Sequence, residues 1–135
     1  MKERVLILCT GNSARSQMAE GLLRHEAGVR FEVHSAGTKP GQVRSEAITV
    51  MNELGIDISG QRSKHVDEFK GQVFDYVLTV CNNANESCPV FPGQTKRIHK
   101  AFEDPAAFQG AETERLALFR RVRDEIREYL KSFPS

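Results

Sequence analysis

One stretch constrains this chain more than any other: Val5-Leu6-Ile7-Leu8-Cys9-Thr10-Gly11-Asn12-Ser13-Ala14-Arg15-Ser16-Gln17-Met18-Ala19-Glu20-Gly21. Its opening apolar run is too short for a buried helix and is bounded by a turn signal, which predicts an interior strand. From Ser16 onward, good helix formers with an acid in the early turns predict a helix. Between strand and helix lie a cysteine, five residues and an arginine. Gly11 tolerates positive φ, and asparagine, as at position 12, tolerates it next best. Such a turn can curl its backbone N–H groups inward at a helix N-terminus, where the dipole also favours an anion. Thr10, Gly11, Asn12, Ser13, Ala14, Arg15 and Ser16 would then line an oxyanion cup, with Arg15 adding a planar fork. Cys9 is expected at the rim of that cup, its pKa lowered by the positive surroundings. Ser16 is expected to donate its hydroxyl to the sulfur.

A cysteine ending a Val/Leu/Ile run is usually only a small buried hydrophobe. The context separates this one: strand before it, Gly-Asn within the spacing, Arg-Ser at its end and helix after it. The other bounds are consistent with a compact enzyme. A chain of 135 residues predicts one domain, spanning residues 1–135. Charged residues make up 27% with a net charge of +1, which gives no bias toward nucleic acid or an anionic membrane. The apolar runs are too short for a membrane span or a signal-peptide core. Three cysteines, an odd number, argue against a secreted disulfide framework and for a cytoplasmic chain with working thiols.

Along the chain, the first helix is expected to continue through Leu22, Leu23 and Ala27 to a C-cap at Gly28. Residues 29–36 alternate as a second strand. Ser45 is expected to cap a helix through Ala47, Ile48, Val50, Met51 and Leu54, stopped by Gly55. Residues 66–69 predict a short helix or turn, and residues 73–80 a third, largely apolar strand. Residues 81–93 read as loop, and residues 96–100 as a fourth strand at the edge. Apolar residues at Leu116, Phe119, Val122, Ile126, Leu130 and Phe133, spaced by three and four, predict a long amphipathic helix over residues 111–133. Strands alternating with helices predict an α/β fold with a parallel sheet flanked by helices on both faces. The loop after the first strand then falls where open α/β sheets bind ligands.

Cys81 follows the third strand, so it is expected at the same sheet edge as Cys9. Cys88 lies seven positions on, a gap the Asn-rich segment can close at modest entropic cost. The pair could equally be one buried and one idle thiol. A zinc pair is disfavoured because no histidine or second cysteine pair has ligand spacing. The Asp104-Pro105 step reads as a turn, and Asp104 as a general acid only if it reaches the cup. His25, His34, His65 and His99 read as surface or packing residues.

The run Cys9-Thr10-Gly11-Asn12-Ser13-x-Arg15-Ser16 resembles the oxyanion loop shared by low-molecular-weight protein tyrosine phosphatases and thioredoxin-coupled arsenate reductases. The continuation Gln17-Met18-Ala19-Glu20-Gly21 and the later Phe102-Glu103-Asp104-Pro105-Ala106 resemble the reductase branch. The resemblance implies a three-layer, flavodoxin-like fold with four parallel strands. It implies Cys9 as nucleophile, Cys81 and Cys88 as successive relay thiols, Asp104 as proton donor, arsenate as substrate and thioredoxin as reductant. No cofactor, no resident metal and a monomer are expected. Two departures stand out. Ala14 replaces a cysteine that both families usually carry but that the relay does not use. Lys64 stands where relatives that bind a monovalent cation near Asn12, Glu20 and Ser35 carry an acid, so its ammonium is expected to replace the ion. The alternatives are a phosphatase, which has no use for Cys81 or Cys88, a reductase drawing on a small-molecule thiol, and an oxyanion or redox sensor.

Overall fold

The computed structural model describes residues 2–82 and 88–134. Four strands, β1 (Glu3–Cys9), β2 (Phe31–Gly37), β3 (Tyr76–Thr79) and β4 (Lys96–His99), form one sheet in the order β2-β1-β3-β4, every neighbouring pair parallel. Three helices accompany them among the described residues: α1 (Arg15–Ala27), α2 (Ser45–Asn52) and α3 (Glu112–Leu130). Val5, Leu6, Ile7 and Leu8 are fully buried. Both faces of β1 are covered, which is why the strand is continuously apolar rather than alternating.

The two faces are covered differently. α3 packs on both α1 and α2, and the row Phe31, Tyr76 and Phe133 closes the lower end of the helical face through edge-on ring contacts. On the face bearing Leu6, His34 and Val77, His34 lies against Phe69 and Phe74, and Phe74 against Phe91. A 3-10 turn, Val66–Phe69, supplies part of that cover. Helices on both faces were expected; among the described residues α1, α2 and α3 pack together, and the second face carries the 3-10 helix and an aromatic cluster. Residues 57–72 carry Gly60, Gly71 and many polar side chains, too broken for a helix, while each phenylalanine buries a large area by itself.

Several boundaries move for local reasons. Val29 is 95% exposed, and β2 begins only at Phe31, opposite Glu3. β3 begins at Tyr76, because Asp75 is engaged with Arg4 through both its amide and its carboxylate. Ser45 is the first residue of α2 rather than its cap; Arg44 holds the cap position, with no side-chain capping bond. Gly28 ends α1 in a right-handed conformation, and a Cβ there would lie 2.3 Å from the Arg24 carbonyl oxygen. Space rather than handedness demands that glycine. α3 ends at Leu130, although Phe133 is buried beyond it. The loop expected at residues 83–87 lies outside the described residues. Among the described residues no helix is long and apolar enough to cross a membrane.

The strand order places the site. From β1 the chain crosses to β2 on one side and later to β3 on the other, so the reversal lies between β1 and β3. Cys9 ends β1 and Cys81 follows the end of β3. The topological switch point brings the two thiols to one crevice.

Candidate active site

The loop between β1 and α1 is held from outside by its carbonyl groups. Thr10 O accepts from the Lys39 amide, Gly11 O from the Gly41 amide and the Ser63 hydroxyl, and Ser13 O from the Arg44 amide. Asn12 O accepts from Gln17 Nε2, and Ala14 O from the Met18 amide. In a trans peptide each N–H points opposite to the preceding C=O. Five successive carbonyls directed outward therefore turn the amides of residues 11–15 inward, and among the described residues these amides have no backbone acceptor. That is the cup expected from the sequence.

Asn12 is its keystone. It is fully buried with φ of 47°, so asparagine rather than Gly11 takes the left-handed conformation. Its Nδ2 donates to Ser16 Oγ at 2.8 Å and Ser35 Oγ at 3.0 Å. Its Oδ1 accepts from Gln17 Nε2 at 3.0 Å and the Lys64 amide at 2.9 Å. The amide group thus makes four hydrogen bonds, its full capacity. Ser16, in the first turn of α1 and expected to serve the Cys9 sulfur, accepts this bond from Asn12 through Oγ, which leaves its hydroxyl proton to donate elsewhere. Sequence reasoning missed Gln17, Gln61, Ser63 and Gly37 as parts of the support. Gln61 Nε2 donates to both oxygens of buried Gln17. A Cβ on Gly37 would lie 2.4 Å from Thr10 O, so only glycine lets β2 pass this close to the loop. A polar residue such as Gln17 just inside an otherwise buried helix start was the available signal.

Inside the cup, Cys9, Thr10, Gly11, Ser13, Ala14, Arg15 and Asp104 line a cavity of about 240 Å³. Arg15 is anchored by donation from Nη1 to the Phe102 carbonyl at 3.1 Å, and its Nη2 lies 3.6 Å from Asp104 Oδ2. Its Nε is buried with no partner, a donor left over for an anion. Asp104 caps a short 3-10 turn, Pro105–Ala107, accepting from the Ala106 amide at 3.0 Å through Oδ1. The turn read from Asp-Pro is there, and it carries the carboxylate to the mouth of the cup.

Both Cys9 and Cys81 are buried, and all three cysteines are free thiols. Thr10 Oγ1 lies 3.2 Å from Cys81 Sγ. The Cys9 pKa departs from expectation: the hydrogen bond with Cys81 and burial push the thiol up, outweighing Arg15 and the Thr10 amide, which pull it down. The positive cup was read correctly, but the sequence could not show a second sulfur packed against the first. Cys88 is half-buried, its sulfur donating to the Pro89 carbonyl at 3.4 Å. Burial raises its pKa while Arg97 beside it opposes that.

Lys64 lies beside Glu20. Its ammonium donates to the Arg62 carbonyl at 2.7 Å and lies 3.9 Å from Glu20 Oε1. Glu20 also takes a short hydrogen bond from Ser35 and pairs with Arg24 at 2.7 Å. Burial lowers the Lys64 pKa against the pull of Glu20. His99, expected to be a surface or packing residue, is exposed and bridges Thr79 Oγ1 through Nδ1 at 2.7 Å and Asn82 Oδ1 through Nε2 at 2.9 Å.

A cysteine-arginine oxyanion loop at the switch point of a four-stranded parallel sheet defines a phosphatase-like class of α/β enzyme. The low molecular weight phosphotyrosine protein phosphatase family matches residues 4–134, and the chain belongs to it. Within that family it groups with the arsenate reductases. It is 46% identical over 129 residues to the arsenate reductase of Bacillus subtilis strain 168, covering 96% of this chain and 93% of the relative. An arsenate reductase structure in an oxidized state superposes with a TM-score of 0.80 at 32% identity, covering 96% of this chain and 94% of that one. A thioredoxin-dependent arsenate reductase from Corynebacterium glutamicum matches with a TM-score of 0.68 at 30% identity, covering 97% of this chain and 61% of that one.

Proposed function

We propose that this chain reduces arsenate to arsenite through a relay of Cys9, Cys81 and Cys88 that thioredoxin resets. The observation that carries the reading is a second thiol beside the cup: Cys81 contacts the Thr10 hydroxyl next to Cys9. Simple hydrolysis of a phosphate ester has no use for it. The cup is small and has no aromatic wall, which suits a free tetrahedral oxyanion.

Arsenate binds to the inward amides, the Arg15 fork and its free Nε. Cys9 sulfur attacks arsenic, and the arsenate hydroxyl departs as water with a proton from Asp104, the Cys9 proton making up the balance. Cys81 sulfur then attacks Cys9 sulfur. The S–S bond forms, the S–As bond breaks, and its electron pair stays on arsenic. Arsenic falls from As(V) to As(III) and leaves as arsenite, taking up the Cys81 proton. Cys88 attacks Cys81 by thiol–disulfide exchange, releasing Cys9 as a thiol and leaving a Cys81–Cys88 disulfide. The dithiol of thioredoxin reduces that bond; the thioredoxin-dependent relative in Corynebacterium supports this donor. The Lys64 ammonium beside Glu20 takes the role of a monovalent cation under the loop.

The test is arsenate-dependent NADPH oxidation with thioredoxin and thioredoxin reductase, on wild type and Cys88→Ser. Sustained turnover in the first and arrest in the second is expected. Equal turnover in both would remove Cys88 from the mechanism and favour a small-molecule thiol. No arsenate turnover in either, with hydrolysis of an aryl phosphate that survives replacement of Cys81 and Cys88 by serine, would make the chain a phosphatase.

A further inference from the structure

The relay requires Cys81 sulfur to meet an arsenic-loaded Cys9, and Cys81 lies two residues past the end of β3. β3 pairs with β4 only as far as Thr79, opposite His99. The main chain gains three more anchors there, Val80 N donating to Leu8 O, Lys100 N to Thr79 O and Phe102 N to Val80 O. Cys81 and Asn82 follow. The two side-chain bonds of His99 fall on Thr79 and Asn82, one on each side of Cys81 in sequence. A neutral imidazole protonated on Nε2 satisfies both: Nε2–H donates to the Asn82 amide oxygen, and Nδ1 accepts from the Thr79 hydroxyl. One ring thus spans the segment that carries the thiol, and Cys81 sulfur rests against Thr10 Oγ1 in the cup wall.

We propose that His99 is a positioning residue for the Cys81 step, bridging Thr79 and Asn82 so that the Cys81 sulfur is held facing Cys9 while arsenate is bound. The inference rests on the relay reading above. His99 touches neither the cup nor either sulfur, so it acts through the backbone around Cys81. It is exposed on an edge strand whose own core contribution is small, Ile98 being its one residue packed against the core. Its loss therefore removes two bonds without opening a cavity. The neighbouring residue on the same face of β4, Arg97, lies against Cys88. The strand thus contacts both relay cysteines' surroundings, with the first held by neutral hydrogen bonds and the second by a cation.

The experiment uses a Cys88→Ser background, in which the relay stops at the Cys9–Cys81 disulfide. The protein is mixed with arsenate, quenched with an alkylating agent at successive times, and the disulfide-linked peptide is counted by mass spectrometry. Adding His99→Ala is expected to slow disulfide formation about tenfold, the effect of losing a positioning hydrogen bond. His99→Gln, whose amide can both donate to Asn82 and accept from Thr79, is expected to recover most of the rate. Inorganic phosphate affinity and thermal midpoint are expected to stay at their starting values, which separates positioning from general damage. Disulfide formation by His99→Ala at the parent rate would overturn the proposal and leave the relay standing. Equal slowing in His99→Ala and His99→Gln, accompanied by weakened phosphate binding, would overturn it in favour of a merely structural role. No Cys9–Cys81 disulfide with His99 intact would overturn the relay itself, and this inference with it.

Discussion

The oxyanion loop and the segment around Cys81 lie side by side and are built on opposite terms. Around residues 10–16 every carbonyl from Thr10 to Ala14 is engaged, the Asn12 amide is saturated, and Gly37 packs against the loop backbone. Past β3 the backbone is held at Val80 by Leu8 and Phe102, and the side-chain contacts of the segment include the His99 bridge to Thr79 and Asn82 and the contact of Cys81 with Thr10. A cup that must present amides to an anion gains from rigidity, because donors fixed in advance need no reorganisation when charge arrives. In the proposed relay Cys81 would attack inward and later be presented to an external reductant, which favours contacts that can break. The same crevice therefore holds one part fixed by its own backbone carbonyls and one bridged by a side chain of the edge strand.

The largest effect should come from the rigid half. Arg15→Lys keeps the charge but loses the fork and the buried Nε, and arsenate turnover should fall by about 10²–10³ while the fold survives, as thermal melting would verify. Less drastic for rate but larger for stability, Asn12→Ala leaves the donors and acceptors around it unpaired and places alanine at positive φ. Chemical denaturation should report a loss of about 2–4 kcal/mol, and a loss below 1 kcal/mol would mean the loop does not depend on its keystone. Gly37→Ala should cost about 1–3 kcal/mol through the clash with Thr10 O, together with weaker binding of inorganic phosphate measured calorimetrically.

The thiol half makes a prediction of opposite sign. Cys81 is the largest cause of the raised Cys9 pKa. The Cys81 hydrogen bond and burial both favour the protonated thiol of wild-type Cys9, and its alkylation should rise as pH rises. In Cys81→Ala the pKa falls, and each unit of fall multiplies the thiolate fraction well below the pKa by about ten. Cys9 alkylation at pH 7, followed on the Cys9 peptide, should be faster than in wild type. An unchanged rate would show that the two thiols do not share a proton in solution. The smallest effect concerns the ground beneath the cup. With Lys64 beside Glu20, exchanging sodium for potassium at constant ionic strength should leave arsenate turnover unchanged, whereas stimulation by potassium would restore an ion to the site.

Much of this was legible in the linear chain. The β1 run, the Gly-Asn turn, Arg15 and the helix start are local signals, and each depends only on near neighbours: burial on both faces of one strand, tolerance of left-handed φ, helix propensity. The long period of α3 was equally plain. Asp104 was legible as a turn residue, and its catalytic reading came from the resemblance of the residues around it. Other features depend on what the chain brings back from afar. The Cys9 pKa turns on a sulfur 72 positions away in sequence. Ser16 accepts from Asn12 because the left-handed residue folds toward it. Gly37 is required by an approach of β2 to Thr10, and His99 becomes a clasp only because β4 pairs with β3 in register. Sequence periodicity and turn chemistry set which elements form and which residues can do chemistry, since those are short-range energies. Strand order, proton sharing between thiols and the second face's aromatic cover are contacts between distant segments, and only the packed tertiary structure decides them.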